Sequence, residues 1–183
     1  MTSLARPARL TWQNRGTFLR VLLTQVLYVA PLFWFMELAQ NVAWRWMNGD
    51  WGWVFPKSPY HWFSFGSLIL WAGCVALLWS LHFFWFYPRR VKVWPRLAIG
   101  AGVCWVGEWV GGYVAANVFN HPLQVWPGSP LVYVHYSALF FWVSNCIVYH
   151  LLTNDVVDLT PEYDAPPTTT RRAAPRWPEA HAP

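Results

Sequence analysis

Two carboxyl groups and an imidazole interrupt long apolar stretches of the sequence. They belong to Glu37, Glu108 and His135. A charge inside a bilayer is costly unless it is neutralised or partnered, so all three side chains are expected to face protein. If they converge on one pocket, they suit acid–base catalysis. We name Glu37, Glu108 and His135 as candidate catalytic residues of a small intramembrane enzyme, an isomerase, cyclase or hydrolase acting on an isoprenoid or acyl lipid.

The same carboxyl groups also have a purely structural interpretation. Glu108 lies at the centre of its apolar stretch, where a hydrogen-bonded carboxyl could fix the packing of helices. Glu37 shares a helical face with Gln40 and Asn41, which indicates an internal polar network or a water-filled cleft. The apolar stretches contain neither a Glu-x-x-His motif nor clustered histidines, so no metal site is predicted.

Histidines occur in pairs in two of the apolar stretches. His61 and His82 lie in one stretch, and His135 and His150 lie in another. Paired axial histidines at two depths are the usual way for helices to hold two b-type haems. At helical rise, however, His61 and His82 would lie about 31 Å apart, and His135 and His150 about 22 Å apart. The histidines of the two stretches therefore do not match well in height. The four histidines are candidate cofactor-binding residues of a haem-binding electron-transfer protein. A chlorin, carotenoid or quinone at an interface is the other kind of cofactor considered.

Small residues recur at helical spacing in the stretch that contains Glu108. Such a ridge permits close approach of another helix, and a Gly-x-x-x-Gly pair is the best-known form of it. We therefore predict a helix-packing surface within this chain or with a partner chain. Its members are Gly100, Cys104, Gly107, Gly111 and Ala115.

Four apolar stretches must position these residues. Of the 183 residues, 56% are hydrophobic, 20% are aromatic and only 11% are charged. A soluble domain would carry about 25% charged residues. The stretches 21–44, 60–87, 97–119 and 131–152 each reach the ~20 residues that cross a bilayer. The sequence predicts an all-α integral membrane protein with four transmembrane helices in an antiparallel bundle.

The basic residues orient this bundle. They concentrate before the first stretch and between the second and third, which indicates that both termini are cytoplasmic in a bacterial-type inner membrane. Four of them could also grip lipid headgroups, namely Arg89, Arg90, Lys92 and Arg96. Tryptophans of the other loops are expected to form an interfacial belt, namely Trp44, Trp46, Trp51, Trp53, Trp62 and Trp126.

The chain thus divides into three parts. A basic cytoplasmic segment covers 1–20, the four-helix domain covers 21–152, and an irregular, polar, Pro-rich cytoplasmic tail covers 153–183. The tail cannot bury enough apolar surface to fold alone, so it is predicted to be a docking strap for a partner.

The leading functional hypothesis is a non-catalytic accessory subunit of a larger energy-converting membrane complex, photosynthetic or respiratory. Sixteen tryptophans exceed what one small bundle can bury, so many should face lipid, pigment, quinone or other membrane subunits. No nucleotide-binding loop or nucleophile elbow is present in the sequence. The net charge of +5 is explained by membrane orientation rather than by nucleic acid. The enzyme and haem hypotheses stay as alternatives.

Overall fold

Four α-helices make up most of the described chain. The computed structural model describes residues 12–153, and these form α1 (Trp12–Asn48), α2 (Ser67–Leu81), α3 (Val93–Asn117) and α4 (Ala138–Leu151). A π-helical turn, His82–Phe86, continues α2. Within residues 12–153 the only β-structure consists of isolated bridges. Most of the predicted 1–20 segment and all but the first residue of the 153–183 tail lie outside the described residues.

Three of these helices are long and apolar enough to cross a membrane: α1 from Phe18, α2 with its π-helical turn, and α3. The fourth helix is shorter than predicted. Its 14 residues span about 21 Å, against about 30 Å of hydrocarbon. The chain between 131 and 137 stays non-helical because Val132 adopts φ 63°, a left-handed conformation that a right-handed helix excludes.

Prolines lie near the observed starts of α2 and α3. The stretch that was predicted to start at residue 60 becomes helical only at Ser67, because the Pro56–Pro59 region folds into a turn in which Ser58 Oγ donates to the Phe63 carbonyl at 2.6 Å. The third stretch was predicted to begin at residue 97, but α3 begins at Val93 and includes Pro95 in its first turn, where a missing N–H costs nothing. Pro31 lies inside α1, and the helix continues through it.

The helices pack mainly as two pairs, α1 with α2 and α3 with α4. At one end, the Phe18 ring lies 5.0 Å from the Phe83 ring and 6.0 Å from the Trp79 ring. Further along α1, the Phe33 ring lies 5.5 Å from the Trp71 ring. The two pairs meet in a common core whose fully buried members include Val75, Leu78, Ala101, Cys104, Cys146 and Tyr149. This core holds the second half of α1 against the other three helices.

Two long loops fold back onto one end of the helices. The 49–66 loop and the 118–137 loop join through Val54 and Val125, which exchange two backbone hydrogen bonds of 2.9 Å. Asn41 clamps the first loop to α1: its Oδ1 accepts from the backbone N–H groups of Gly52 (3.1 Å) and Trp53 (3.3 Å). Its Nδ2 donates to the Trp53 carbonyl at 3.0 Å. All four polar bonds of a buried amide are thereby used inside the protein, since Nδ2 also reaches the Trp62 carbonyl at 3.2 Å.

This folding corrects part of the predicted tryptophan belt. Trp53 and Trp126 are 3% and 4% exposed, and their ring centroids lie 4.8 Å apart in the core. Trp46, by contrast, is 87% exposed and suits an interfacial position. The belt prediction failed for Trp53 and Trp126 because it assumed that loop residues stay at the surface.

Candidate functional site

A cavity of about 260 Å³ lies between α2 and α3, next to the two folded loops. We call it the α2–α3 cavity. Both Glu37 and Glu108 line it. Exposed residues form its rim, Leu77 on α2 and Gly107 on α3 among them, so the cavity opens sideways between these two helices. The remaining walls come from α1, from α4 and from the 49–66 and 118–137 loops. Its lining residues include Gln40, Trp53, Leu70, Trp71, Cys74, Gly111, Gln124, Trp126, Tyr133, Phe141, Trp142 and Asn145.

Glu37 reaches the cavity from α1. Its side chain is 6% exposed, and its Oε2 accepts hydrogen bonds from Ser67 Oγ at 2.8 Å and from Trp71 Nε1 at 3.0 Å. Both donors belong to α2, so the carboxyl ties α1 to the first turns of α2. Among residues 12–153, no group donates to the other oxygen, Oε1. That oxygen is a free acceptor at the cavity.

Glu108 reaches the cavity from α3 and is the more heavily bonded carboxyl. Its Oε1 accepts from Gln124 Nε2 at 2.7 Å and from Trp126 Nε1 at 3.1 Å. Its Oε2 accepts from Trp142 Nε1 at 2.6 Å. The donors come from the 118–137 loop and from α4. One carboxyl therefore joins α3, the loop and α4, and the structural interpretation of Glu108 has a physical basis.

Indole rings connect and surround the two carboxyls. The Trp71 and Trp142 rings lie 5.1 Å apart, and each indole donates its N–H to a different glutamate. Trp53 also lines the cavity, and its buried Nε1 has no hydrogen-bond partner in the described part of the chain. A buried indole N–H without a partner is costly, so Trp53 leaves an unsatisfied polar group beside the cavity.

A polar contact between α1 and α4 closes one side of the cavity. Gln40 Nε2 donates to Asn145 Oδ1 at 2.9 Å and lies 3.3 Å from Ser144 Oγ. Gln40 and Asn145 both line the cavity. The polar residues predicted on one face of α1 therefore have two roles. Asn41 holds the 49–66 loop, whereas Glu37 and Gln40 line the cavity.

His135 stands apart from the carboxyl pair. It is not among the residues that line the cavity. Its Nδ1 accepts from the Ser137 backbone N–H at 3.1 Å and lies 2.6 Å from Ser137 Oγ. The Trp126 ring stacks on the imidazole with the centroids 5.8 Å apart, while the Trp126 N–H bonds to Glu108. The structure thus brings together Glu37 and Glu108 of the predicted triad, with Trp126 between them and His135.

The other candidate histidines lie away from this cavity. His82 is buried in the π-helical turn, where its Nδ1 lies 2.8 Å from the Leu78 carbonyl and its ring lies 5.2 Å from the Tyr149 ring. His150 lies in the last turn of α4. His61 is exposed in the 49–66 loop, outside any helix. Among residues 12–153, no three His, Cys, Asp or Glu side chains cluster as a metal site. The haem-ligand role of these histidines stays a prediction.

The small-residue ridge of α3 divides into two parts. Gly100 packs closely, since a Cβ there would lie 3.3 Å from Cys146 Sγ, and Cys104 and Ala115 are buried. Gly107 and Gly111 instead line the cavity, and a Cβ on Gly111 would meet no described atom within 4 Å. The Gly-x-x-x-Gly pair is therefore an open stripe in this chain, not a contact between its own helices.

A surface cleft at the other end of the helices is lined by three of the four predicted headgroup residues. Arg90, Lys92 and Arg96 line it. Arg96 Nε donates to the Val91 carbonyl at 2.7 Å, which leaves its charge fixed beside the cleft. The Arg89 guanidinium lies 5.3 Å from the Trp85 ring, a cation–π distance. The headgroup role of these four residues stays a prediction.

Sequence reasoning missed most of the groups that bond to the carboxyls. Gln124 and Trp126 lie in a Pro-rich loop with no periodic pattern, so nothing in the sequence placed them beside Glu108. Trp71 and Trp142 lie within the predicted stretches. Their indole N–H groups are the one available signal, because a buried indole needs an acceptor and such acceptors are scarce in apolar stretches.

The fold and the site define a class of protein: an all-helical chain with three helices able to cross a membrane and a carboxyl-bearing cavity between two of them. No protein-family model, curated protein or solved structure matches this chain.

Proposed function

We propose that this chain is a four-span membrane protein that binds a lipid-soluble small molecule in the α2–α3 cavity. One observation carries the proposal: Glu37 and Glu108 share a cavity that opens sideways between two membrane-length helices. A molecule dissolved in the bilayer can reach such a cavity without passing through water. Apolar walls with a few convergent polar groups are the usual composition of a ligand site.

The contacts between α1 and α2 support an antiparallel arrangement of these two helices. Phe18 near the start of α1 packs against Phe83 beyond the end of α2, whereas Glu37 bonds to Ser67 at the start of α2. The fourth span would consist of α4 together with its flanking residues, 133–137 and 152–153. Lysine and arginine distribution favours cytoplasmic termini in a bacterial-type inner membrane.

Mass spectrometry of the purified protein tests this function. The full chain is extracted in a mild detergent, and bound small molecules are then released with organic solvent and quantified. We expect a lipid-soluble molecule in near-stoichiometric amount from the unaltered protein. Gly111→Leu, which fills the cavity, should lose it, whereas Gly102→Leu on the same helix should keep it, because Gly102 lies outside the cavity and has open space around it. Equal ligand content in the two variants would contradict the proposal.

A second candidate function is the accessory subunit of an energy-converting complex. The open stripe at Gly107 and Gly111 favours it, since a helix of a partner chain could pack there. In this case the 153–183 segment would bind the subunit to its neighbours.

Native gel electrophoresis of membranes solubilised in mild detergent tests this subunit role. The chain should migrate within a larger complex, and removal of residues 154–183 should release it. A lone species of 21.3 kDa would count against a subunit role.

A further inference from the structure

We propose that the ligand of the α2–α3 cavity is an organic cation, a quaternary or protonated amine carried on an apolar body. This inference rests on the proposed function, because it names the chemical class of the molecule that the cavity binds. Three observations support it: the acidic side chains of the site, its aromatic walls, and the unused acceptor on Glu37.

Among its described lining residues, the site contains acidic side chains and no basic one. Two of its lining residues, Glu37 and Glu108, are acids, and none of the described lining residues is lysine, arginine or histidine. Their hydrogen-bond donors are neutral: a hydroxyl, an amide and three indoles. Carboxylates in an apolar site are stabilised by a counter-ion, and within residues 12–153 the protein supplies none to this pair. A cationic ligand would supply it.

Aromatic side chains make up much of the wall. A cation is attracted to the face of an aromatic ring, and indole gives the strongest attraction. Quaternary ammonium groups are commonly held in this way, inside cages of aromatic rings. The rings that line the α2–α3 cavity are Trp53, Trp71, Trp126, Tyr133, Phe141 and Trp142. Acidic groups among several indoles are the combination that selects an organic cation over a neutral lipid.

The hydrogen bonds assign different tasks to the two carboxyls. Both oxygens of Glu108 already accept from protein donors, so Glu108 would contribute charge without direct contact. Glu37 has its Oε1 free, and this oxygen would accept an ammonium N–H or lie against a methylated nitrogen. An anionic ligand would meet two carboxyls of its own sign and is excluded on that ground.

The size of the cavity fits the head of the ligand and not a whole amphiphile. At about 260 Å³, its volume lies just below that of typical ligand pockets, roughly 300–1,000 Å³. The apolar body of the bound ligand would therefore extend out of the cavity through the gap between α2 and α3. Leu70 and Leu77 line that gap on α2, and Gly107 leaves it open on α3.

A matched pair of probes tests the inference on the full-length protein. Benzyltrimethylammonium and neopentylbenzene have nearly the same shape, but only the first carries a charge. Each is titrated into the protein in nanodiscs of zwitterionic lipid, and binding is followed by quenching of tryptophan fluorescence. We expect the cation to bind at least about tenfold more tightly than its neutral counterpart. The two probes bury a similar apolar surface, but only the cation makes a charge-assisted contact with a carboxyl.

Substitutions of the carboxyls provide the second arm. Glu37→Gln and Glu108→Gln should each weaken binding of the cation by about 10- to 100-fold and leave binding of the neutral probe unchanged. Asp50→Asn is the matched control, since Asp50 is the remaining acidic residue of 12–153 and lies exposed outside the cavity. Circular dichroism confirms that each variant is folded.

The outcomes separate this inference from the proposed function. Equal affinity of the unaltered protein for the two probes, or failure of both to bind, would overturn the inference whether or not the variants fold. A neutral molecule found by mass spectrometry would also overturn it, and it would leave the proposed function intact. Loss of cation binding in Asp50→Asn as well as in the cavity variants would show that the effect is not local to the cavity.

Discussion

Trp71 and Trp142 come from different helices, and their rings pack 5.1 Å apart while their N–H groups point to different carboxyls. Trp71 donates to Glu37 and Trp142 donates to Glu108. The two indoles therefore link the acids of α1 and α3 through a packed aromatic contact between α2 and α4. A substitution of either tryptophan should therefore alter the hydrogen bonding of both carboxyls.

Loss of the Trp142 donor should destabilise the protein. Trp142→Phe keeps an aromatic ring in the core but removes the 2.6 Å hydrogen bond to Glu108 Oε2. We expect the free energy of unfolding to fall by about 1–3 kcal/mol, the usual result when a buried acceptor loses its partner. Thermal unfolding in detergent measures it. Trp46→Phe, at a residue that is 87% exposed, should leave the melting temperature unchanged. Equal shifts in the two variants would show that the hydrogen bond is not important.

Adjacent glycines of α3 should respond in opposite ways to alanine. A Cβ on Gly112 would lie 2.6 Å from Tyr133 Cβ, so Gly112→Ala must displace the 118–137 loop. We expect a loss of about 1–3 kcal/mol of stability. A Cβ on Gly111 would meet no described atom within 4 Å, and alanine favours the helix, so Gly111→Ala should be neutral or stabilising by up to about 1 kcal/mol. Chemical denaturation of both variants provides the comparison. If Gly111→Ala were the more damaging, the described packing of α3 would be incorrect.

Asn41 should be much more sensitive to substitution than Asn48. Asn41→Ala removes the side chain that bonds four backbone groups of the 49–66 loop, and several of these groups are buried. We expect a loss of about 2–4 kcal/mol and faster proteolysis within that loop. Asn48→Ala is the control, because Asn48 is exposed and its Nδ2 donates only to the Trp44 carbonyl, at 3.0 Å. Limited proteolysis followed by mass spectrometry locates the cleavage. Similar cleavage of both variants would contradict the conclusion that Asn41 holds the 49–66 loop against α1.

The helical class could be predicted from the sequence because a bilayer imposes a simple requirement. Any stretch of about 20 apolar residues without charges must be helical there, since its backbone groups have no other partners. The same solvent argument predicted that Glu37 and Glu108 face protein, and the structure places both at one cavity. The bounds of the helices were less predictable. Val132 and the Pro56–Pro59 turn shorten helices that composition alone would extend.

The partners of the carboxyls could not be predicted for a different reason. Gln124 and Trp126 reach Glu108 only because the 118–137 loop folds back between the helices. That fold depends on long-range contacts such as the pairing of Val54 with Val125, and no local pattern encodes such a contact. His135 shows the converse: it was named with the two carboxyls as part of one pocket, yet Trp126 stacks on its ring and bonds to Glu108 in its place.

Membrane orientation can be tested with a pair of lysine substitutions. Lys57 and Lys92 are both exposed, one in the 49–66 loop and the other just before α3. With Cys74, Cys104 and Cys146 replaced by alanine, Lys57→Cys and Lys92→Cys each provide one thiol. A membrane-impermeant maleimide added to intact cells should label position 57 and not position 92. The basic residues favour a cytoplasmic position for the segment between α2 and α3, which contains residue 92. Labelling of position 92 alone would invert the proposed topology. Labelling of both after cell lysis verifies that each thiol is reactive.

The bonding of Glu108 has a consequence for the synthesis of the protein. Every donor to this carboxyl is later in the chain than α3, and the last of them is Trp142. A nascent chain that has delivered only three helices to the insertion machinery would present an acid to lipid with none of these donors beside it. We therefore expect α3 to stay with that machinery until these donors arrive, and chains truncated before residue 124, which lack all three, to be degraded rather than released into the membrane.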